Sequence, residues 1–327
     1  MQHIELGKSG INASRISLGC MSFGGIFGPT TEAESHETLA RAFDLGITHL
    51  DVADIYGMGI SETVIGNFLA QNPRKCSIAT KAGIVTQPQR RFDNSRDYLT
   101  NALDASLKRL KKDHVDLFYI HRRDETVPMA DVMETLTRFI EAGKISAIGF
   151  SEIAPWVLEE ACRYHPVAAL QSEYSLWTRQ PELGAIQACK RLGVTFVPFS
   201  PLGRGIFGSK PVDAANFRDI DFRKTSPRFV EPHLSANNKM VDGLRAYAAD
   251  HGWKLPALAV AWVLARVPEC MAIPATRTPA HLDEFIEARD IQLTPRHLEE
   301  IEAILPAGFA HGHRYSPAQA IGSQPYC

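Results

Sequence analysis

Residues 115–121 read VDLFYIH, a nearly continuous apolar run that ends on a histidine. A run of this length between helical segments is typical of a β-strand that is buried on both faces. A polar side chain at the end of such a strand faces desolvation where the strand leaves the sheet, so chance is a poor explanation for it. This stretch therefore predicts a buried parallel strand with a functional residue, His121, at its carboxyl end.

The same pattern occurs seven more times along the chain. The eight predicted strands cover residues 15–19, 47–51, 77–81, 115–121, 145–151, 167–171, 194–200 and 270–274. Segments with helical spacing of apolar residues separate them, for example Leu99, Leu103, Leu107 and Leu110. Strands that alternate with helices predict βα units around a parallel sheet, and a count of eight favours a (β/α)₈ barrel. We expect one domain over residues 1–327, because the composition shows no boundary.

Local signals refine this fold. The pattern Thr31-x-x-Glu34 predicts a capping box, and Thr278-Pro279 and Thr294-Pro295 each predict a helix start. Two segments lie outside the alternation: residues 4–16 predict an N-terminal hairpin, and residues 203–232 predict a long loop after the seventh strand. Loops of that length in a compact domain usually carry function.

Composition excludes several classes of protein. The formal net charge is −2 and the chain has no block of like charges, which argues against binding to nucleic acid or to a membrane surface. The chain has no long apolar stretch and no signal-like start, so we expect a cytoplasmic protein. Six cysteines without metal-ligand spacing predict reduced thiols and no metal site. The oligomeric state is not predictable from the sequence.

Polar residues end six of the predicted strands, where a barrel places its active site. They are Asp51, Lys81, His121, Ser151, Gln171 and Ser200. Tyr56 follows Asp51 in a short βα loop that can fold its phenol over the barrel mouth. A nearby ammonium such as Lys81 favours the phenolate and eases proton donation, and Asp51 would hold Lys81 charged. With His121 as an orienting hydrogen-bond donor, these residues suit the reduction of a carbonyl group.

A glycine-rich motif follows the seventh strand. Residues 203–208 read GRGIFG and match G-x-G-x-x-G. A dinucleotide-binding Rossmann unit requires a helix and a strand after this motif, but Pro211 interrupts the segment and that pattern is missing. The motif therefore predicts a loop whose backbone amides approach a pyrophosphate outside a Rossmann context.

These residues, in this order, resemble the aldo-keto reductase superfamily over essentially the whole chain. The matching segments are Asp51-x-Ala53-x-x-Tyr56-Gly57-x-Gly59-x-Ser61-Glu62, Ala79-Thr80-Lys81, Tyr119-Ile120-His121-Arg122-x-Asp124, Ser172-Glu173-Tyr174-Ser175-Leu176 and Phe199-Ser200-Pro201-Leu202-Gly203-Arg204-Gly205. The last two are similar to the bacterial, fungal and plant branch that includes the potassium-channel β subunits. Several motifs in the correct order are far more specific than any one of them.

The resemblance implies a role for each matching residue. Asp51, Tyr56, Lys81 and His121 match the catalytic tetrad, with Tyr56 as the general acid. The implied cofactor contacts are Ser151 and Gln171 to the nicotinamide carboxamide, Phe199 to its ring, Ser200, Leu202, Gly203 and Arg204 to the pyrophosphate, and Thr276, Arg277, His281 and Glu284 at the adenosine end. The implied reaction is reduction of an aldehyde or ketone to the alcohol, or its reverse on sugars and alcohols, with a small-molecule substrate.

The sequence departs from the family pattern in two places. Ser151-Glu152 stands where many members have Ser-Asn, although the resembling branch often has this pair. At the adenosine end, His281 replaces the usual arginine and Phe285 the usual asparagine. Histidine is a weaker cation than arginine near neutral pH, but Arg277 and Thr276 can still bind a phosphate. We therefore expect NADP(H), with NAD(H) as the alternative.

Two other functions fit the same scaffold. One is a non-catalytic redox-sensing or binding subunit, which the intact tetrad argues against. The other is a lyase that forms a Schiff base on Lys81, which requires a neutral lysine, whereas Asp51 would keep Lys81 charged. Candidate substrate contacts at the barrel mouth are Phe23, Ile55, Met58, Arg122 and Trp177, with parts of the 203–232 loop; none of them identifies a substrate.

Overall fold

A computed structural model describes residues 1–325 of the chain. Seven parallel strands form a continuous sheet in the order β11-β10-β9-β8-β5-β4-β3. The described strands are β1 His3–Glu5, β2 Asn12–Ser14, β3 Leu18–Gly19, β4 His49–Asp51, β5 Ser77–Ala82, β6 Ile84–Val85, β7 Arg91–Phe92, β8 Val115–Ile120, β9 Ile145–Ser151, β10 Ala169–Glu173 and β11 Thr195–Phe199. The two strands β6 and β7 pair with each other outside the main sheet.

Helices follow the strands and surround the sheet. The described α-helices are α1 Glu32–Asp44, α2 Ile60–Gln71, α3 Arg96–Leu110, α4 Met129–Glu141, α5 Pro155–Tyr164, α6 Ala185–Leu192, α7 His233–Asp250, α8 Leu255–Arg266, α9 Pro279–Ile286, α10 Pro295–Ile304 and α11 Pro317–Ala320. The predicted capping box is confirmed, since the Thr31 side chain accepts from the Glu34 amide and the Glu34 side chain from the Thr31 amide. The two predicted Thr-Pro helix starts are also confirmed at α9 and α10.

The eighth predicted strand, residues 270–274, closes the barrel by single bridges and not by a regular ladder. Cys270 and Ile273 bridge to β11, while Ala272 and Ala275 bridge to the first-strand segment at Ile16 and Gly19. The segment is short and Pro274 has no backbone N–H to donate, so a continuous ladder cannot form. The (β/α)₈ barrel is nevertheless confirmed, because these bridges join the two edges of the seven-stranded sheet.

Strand limits differ from the prediction, with consequences at the sixth strand. The prediction was 167–171, whereas β10 runs over Ala169–Glu173. The prediction failed because residues 172 and 173 are polar, although both are fully buried in the structure. Glu173 is therefore the residue at the end of this strand, and Gln171 lies two residues before it. The first and second predicted strands are shorter in the structure, where they correspond to β3 and β4.

The predicted N-terminal hairpin is confirmed, and it closes the amino end of the barrel. Strands β1 and β2 pair antiparallel, and the amide of Gly7 in their turn donates to Oγ1 of Thr195 on β11 at 2.8 Å. Leu6 and Ile11 of the hairpin pack in one apolar cluster with strand residues such as Leu117 and Tyr119. A larger cluster fills the space between the sheet and its helices. The hairpin therefore covers the amino end of the barrel.

The segment after β11 contains short 3₁₀ turns and no α-helix until α7 begins at His233, so the predicted long loop over residues 203–232 is confirmed. Helices long and apolar enough to cross a membrane are absent from residues 1–325. The five cysteines in that range are free thiols, and Cys327 lies outside the described residues.

Candidate active site

A cavity of about 710 Å³ opens at the carboxyl ends of the barrel strands. This volume lies in the range of small-molecule and cofactor sites. Five of the six predicted strand-end residues line it, namely Asp51, His121, Ser151, Gln171 and Ser200. The sixth, Lys81, is fully buried beneath its floor. The barrel therefore brings together the polar groups that the sequence pattern singled out.

Asp51 and Lys81 form a buried ion pair between adjacent parallel strands. Asp51 ends β4, and Ala79 of β5 lies opposite it in the register. The Lys81 ammonium donates to Oδ1 of Asp51 and, at 2.9 Å, to the carbonyl of Val52. Nε2 of Gln171 donates to the second carboxylate oxygen at 2.8 Å. Each oxygen of this carboxylate thus accepts a hydrogen bond, which offsets the loss of water around it.

The electrostatics favour a charged Lys81. Burial by itself would lower the pKa of Lys81, but the neighbouring Asp51 and Tyr56 outweigh it and raise that pKa above its ordinary value. Burial also raises the pKa of Asp51, against the effect of Lys81. We assign the pair as ionised, because Lys81 and Gln171 both donate to the Asp51 oxygens and such contacts favour the carboxylate.

Tyr56 is placed by a tight contact between two backbone segments. Gly57 has φ of +61°, and a Cβ built on Gly24 would lie 2.5 Å from the Gly57 nitrogen. A side chain on Gly24 would therefore displace the loop that carries Tyr56. In this position the Tyr56 ring centroid is 5.2 Å from Nζ of Lys81 and 5.9 Å from the His121 ring, which it meets edge to face. The phenol lies between the ammonium and the imidazole.

The pKa of Tyr56 departs from the sequence-based expectation. Lys81 does lower it, as expected, but burial is the larger effect and the pKa of Tyr56 is raised overall. The sequence argument counted the charge of Lys81 and not the desolvation of the phenol. Tyr56 is therefore fully protonated at neutral pH and carries the proton that an acid must donate.

His121 is a neutral imidazole in this environment. Its pKa is lowered well below the ordinary value by burial and by the positive charges of Arg122, Lys81 and Arg90. Its Nδ1 is buried and has no hydrogen-bond partner among residues 1–325. A neutral imidazole has one donor and one acceptor nitrogen, so His121 can hydrogen-bond a ligand without acting as a proton source.

The two residues predicted to contact a carboxamide lie on neighbouring strands. Ser151 ends β9, and its register partner on β10 is Gln171. Oγ of Ser151 accepts from Nη1 of Arg122 at 3.1 Å, and the same nitrogen donates to the carbonyl of His121 at 2.7 Å. Ser151 is thus held by Arg122 and Gln171 by Asp51. Both Ser151 and Gln171 still line the cavity.

The glycine-rich loop after β11 has an unusual backbone. Ser200, Gly203, Arg204 and Gly205 all have φ between +52° and +102°. The amides of Gly203 and Gly205 donate to the carbonyls of Ser200 and Leu202 within the loop. Ser200, Leu202, Arg204 and Gly205 line the cavity with Phe199, but Gly203 does not. Gly203 therefore shapes this loop without lining the cavity itself, and its contact with a pyrophosphate stays a prediction.

Arg204 is held in place by a charged network. Its guanidinium donates to the Glu173 carboxylate and, at 2.9 Å, to the carbonyl of Arg314. The Arg204 guanidinium also lies 4.5 Å from the ring centroid of Tyr315. Arg314 in turn donates to the buried carboxylate of Glu152. The network therefore fixes the loop from below, with the charge of Arg204 balanced by Glu173.

The residues predicted for the adenosine end form one wall of the same cavity. Thr276, Arg277, His281 and Glu284 all line it. The helix α9 begins there, and Oγ1 of Thr278 caps it by accepting from the His281 amide at 3.4 Å. Lys210 lies on the lining as well. Lys210 and Arg277 have no carboxylate within 4 Å among the described residues, so this wall offers uncompensated positive charge and a helix N-terminus to an anion.

Comparison with known proteins identifies the family. The sequence model of the Aldo/keto reductase family matches residues 15–306, which include every strand of the barrel. The chain belongs to the aldo/keto reductase family. It is thereby an oxidoreductase of the class that acts on carbonyls and alcohols, and the recognition made from the motifs is confirmed.

Individual relatives of this aldo/keto reductase cover nearly its whole length. A probable aldo-keto reductase 1 of Glycine max is 36% identical over 319 residues, covering 96% of this chain and 92% of the relative. The aldo-keto reductase yakc [NADP(+)] of Schizosaccharomyces pombe is 34% identical, covering 92% and 91%. Among solved structures, a glycerol dehydrogenase from Gluconobacter oxydans has a TM-score of 0.85 at 25% identity, covering 96% and 98%.

The predicted substrate contacts have a mixed outcome. Ile55 and Arg122 line the cavity of this aldo/keto reductase, but Phe23, Met58 and Trp177 do not. Phe23 is buried in the core, and Met58 is 68% exposed to solvent. Trp177 packs against Phe207 and Phe229 beneath the long loop. Aromatic or apolar character near a strand end did not distinguish core residues from cavity residues.

Other lining residues of this aldo/keto reductase were missed. Arg90 and Tyr315 reach the cavity from distant parts of the chain, and Glu173 and Arg314 support it from beneath. Arg90 lies in a segment without periodicity, and residues 314–315 follow the last long helix, so neither position has a local sequence signal. Glu173 lies in the segment Ser172-Glu173-Tyr174-Ser175-Leu176 that resembles the family, but its burial at the end of β10 has no local signal, because it is polar like Ser172 before it.

Proposed function

We propose that this aldo/keto reductase reduces an aldehyde or ketone with NADP(H), using Tyr56 as the general acid. The supporting observation is the convergence of Tyr56 and His121 over a buried Lys81–Asp51 pair on the floor of one cavity. An acid, a fixed positive charge and a neutral hydrogen-bond donor are the groups that carbonyl reduction needs. The reverse reaction on an alcohol uses the same groups with the proton moving in the opposite direction.

Each residue has one task in this proposal. The neutral His121 donates a hydrogen bond that orients the substrate carbonyl oxygen. Tyr56 gives its proton to that oxygen as negative charge develops there, and the Lys81 ammonium stabilises the phenolate that remains. Asp51 keeps Lys81 charged and in position. A bound reduced nicotinamide would supply the hydride that the carbonyl carbon needs.

The cavity suits an extended dinucleotide. Ser151 and Gln171 provide a hydroxyl and an amide near the tetrad, and Phe199 provides an aromatic ring on the same lining. The wall at the start of α9 carries the cations Arg277 and Lys210. This ordering fits a carboxamide at one end and phosphate at the other, with Ser200, Leu202 and Arg204 between them. Glu284 lies on the α9 wall, where a carboxylate suits a hydroxyl or amine of the adenosine part.

We prefer the phosphorylated cofactor to NAD(H). Thr276, Arg277, Lys210 and the start of α9 provide hydrogen-bond donors and charge for a phosphate group. The fission-yeast relative is named for NADP(+), which supports the same preference here. His281 adds a weaker cation to this wall than the arginine it replaces.

Replacement of Tyr56 by phenylalanine tests the proposed acid. We expect Tyr56→Phe to lower kcat by about 10²–10⁴-fold, because the ring stays and its proton is lost. The Kd for NADPH, measured by fluorescence titration, should change by less than about twofold. Tyr164→Phe is the control, since Tyr164 is 54% exposed on α5 and away from the cavity. Turnover by Tyr56→Phe at the rate of the control would rule out this mechanism.

The alternative lyase has less support than the reductase. A Schiff-base mechanism needs the neutral amine of Lys81, but its pKa is raised and its ammonium is buried against Asp51. Borohydride in the presence of a carbonyl substrate should therefore leave Lys81 unmodified in the mass spectrum. The non-catalytic alternative is tested by the turnover measurement itself.

A further inference from the structure

Arg122 is a buried cation without an anionic partner. Its side chain is 92% buried, it lines the cavity next to His121, and no carboxylate lies within 4 Å of it in the part of the chain that the structure describes. Its Nη1 is used by Ser151 and the His121 carbonyl, but its buried Nε has no partner among the same residues. An unpaired charge with an unused donor is unfavourable in a buried site unless a ligand completes it.

The buried carboxylate of Glu152, on which the charge of Arg122 acts, already has another partner. The positive charge of Arg122 helps to lower the pKa of Glu152, although Arg314 has the larger effect. Two nitrogens of Arg314 hydrogen-bond that carboxylate, one of them at 3.1 Å. Glu152 therefore forms its hydrogen-bonded ion pair with Arg314 and not with Arg122.

Arg90 adds a second cation at the same end of the cavity. It lies largely exposed at the rim on the loop between β6 and β7, and its Nη1 donates to the carbonyl of Ala318 at 3.1 Å. Partial desolvation and the charge of Arg122 lower its pKa, so the two guanidinium groups repel each other. Both line the same cavity as Tyr56 and His121, and Arg122 is the residue directly after His121. Their charges also help to lower the pKa of His121.

The cavity has no free acidic group there to balance these charges. Among its described lining residues the carboxylates are Asp51 and Glu284. Asp51 is neutralised by Lys81, and Glu284 lies on α9 with the proposed phosphate-binding residues. The positive charge beside His121 therefore comes from residues other than Arg277 and Lys210, and the proposed cofactor contacts do not include Arg122 or Arg90.

We infer that the substrate carries a carboxylate group, which Arg122 and Arg90 bind while its carbonyl lies between Tyr56 and His121. This inference rests on the proposed function and names its substrate class: oxo acids and carboxylated aldehydes. A planar guanidinium matches a carboxylate with two parallel hydrogen bonds. The carboxylate itself does not react; the carbonyl carbon gains the hydride, its oxygen gains the proton, and the product is the hydroxy acid.

A matched pair of aldehydes tests the inference. 4-Formylbenzoate and its methyl ester have the same ring and the same reacting carbonyl, and the ester is the more electrophilic of the two. We expect kcat/KM with NADPH to be at least about tenfold higher for the carboxylate, and this preference to shrink as salt screens the charges. A higher or equal value for the ester overturns the inference.

Variants then assign the preference to residues. Arg90→Gln should lower the ratio of kcat/KM for 4-formylbenzoate to that for the ester by about fivefold. Arg90→Lys should lower this ratio less, because the charge remains while the paired hydrogen bonds of the guanidinium are lost. Arg122→Gln should lower the ratio further. Arg91→Gln is the matched control, because Arg91 is the next residue, is exposed and does not line the cavity. An unchanged ratio in both Arg90→Gln and Arg122→Gln overturns the assignment.

Two measurements separate this inference from the proposed function. Reduction of the neutral 4-nitrobenzaldehyde without preference for 4-formylbenzoate over its ester would overturn the inference and leave the proposed function intact. Binding by calorimetry is independent of turnover and of whether Arg122→Gln folds. Benzoate should bind the wild-type protein with NADP⁺ about tenfold tighter than benzamide does, and equal binding of the two overturns the carboxylate subsite.

Discussion

The two ends of the cavity differ in how their charges are balanced. At the inner end, the Lys81 ammonium is fully buried and is paired with Asp51, whose oxygens each accept a hydrogen bond. At the outer end, Lys210 is exposed and Arg277 is half-buried, and neither has a carboxylate within 4 Å in residues 1–325. The chain therefore neutralises the Lys81–Asp51 pair itself, whereas it leaves the cations of the outer wall to a ligand.

This difference assigns a physical task to each end. Groups that stabilise a transition state act best when they are fixed and dry before the reaction begins. Groups that bind a cofactor reversibly can remain exposed to solvent, where an unpaired charge costs less in the empty state than a buried one does. The inner end fits the first requirement and the outer end the second.

The largest expected effect comes from breaking the inner pair. Lys81→Met leaves Asp51 buried without its cation, so we expect the free energy of unfolding at pH 7 to fall by about 3–5 kcal/mol. Turnover should fall by at least about 100-fold, since the phenolate of Tyr56 loses its stabilising charge. Urea unfolding and steady-state kinetics measure the two effects.

The matched change at the outer end is Lys210→Met. Its side chain is exposed on the cavity lining, so we expect unfolding to change by less than about 0.5 kcal/mol. Similar losses in the free energy of unfolding for the two variants would show that the buried Lys81–Asp51 pair contributes no more to stability than the exposed Lys210. The contrast between the two ends would then be wrong.

An intermediate effect is expected from the network that supports the glycine-rich loop. Arg314 pairs with Glu152, whose pKa burial would raise but Arg314 and Arg122 hold at about 2. Arg314→Gln should lower the free energy of unfolding at pH 7 by about 3 kcal/mol, since a fully buried carboxylate loses its main partner. Because Arg204 is bound to the same network, we also expect weaker NADPH binding.

The pH dependence of this effect has a definite sign. A depressed carboxylate pKa contributes stability above the unfolded value of about 4.3, and that contribution is lost as the pH falls toward the folded value of about 2. The difference between wild type and Arg314→Gln should therefore be largest at pH 7 and smaller at pH 3.5. A difference that grows as the pH falls would contradict the ion pair as its source.

The fold was predictable from its strands because a strand buried on both faces leaves a strong apolar signal. Residues 145–151 coincide with β9, and the hairpin and the capping box at Thr31 are as expected. Single polar residues that are buried by tertiary contacts give no such signal. The end of β10 was therefore misplaced, and with it the position of Glu173.

The site was predictable only where it is local in sequence. Asp51 and Lys81 lie near the carboxyl ends of β4 and β5, and Tyr56 and His121 follow β4 and β8. The carboxyl ends of barrel strands meet at one face. Glu173 and Arg204 meet across 31 residues, and Arg314 joins them from more than 100 residues away. The raised pKa of Tyr56 was also not predictable, because desolvation depends on everything that packs around the ring.

The smallest expected effect sharpens the comparison at the outer end. His281 lines the cavity at the start of α9, beside Arg277. His281→Arg places a permanent cation there, so we expect the Kd for NADPH to fall by about threefold, or about 0.6 kcal/mol. The Kd for NADH, which lacks the extra phosphate, is the control and should not change. If both cofactors bind more tightly by the same factor, residue 281 does not contact the phosphate that distinguishes them, and the outer wall binds the shared pyrophosphate instead.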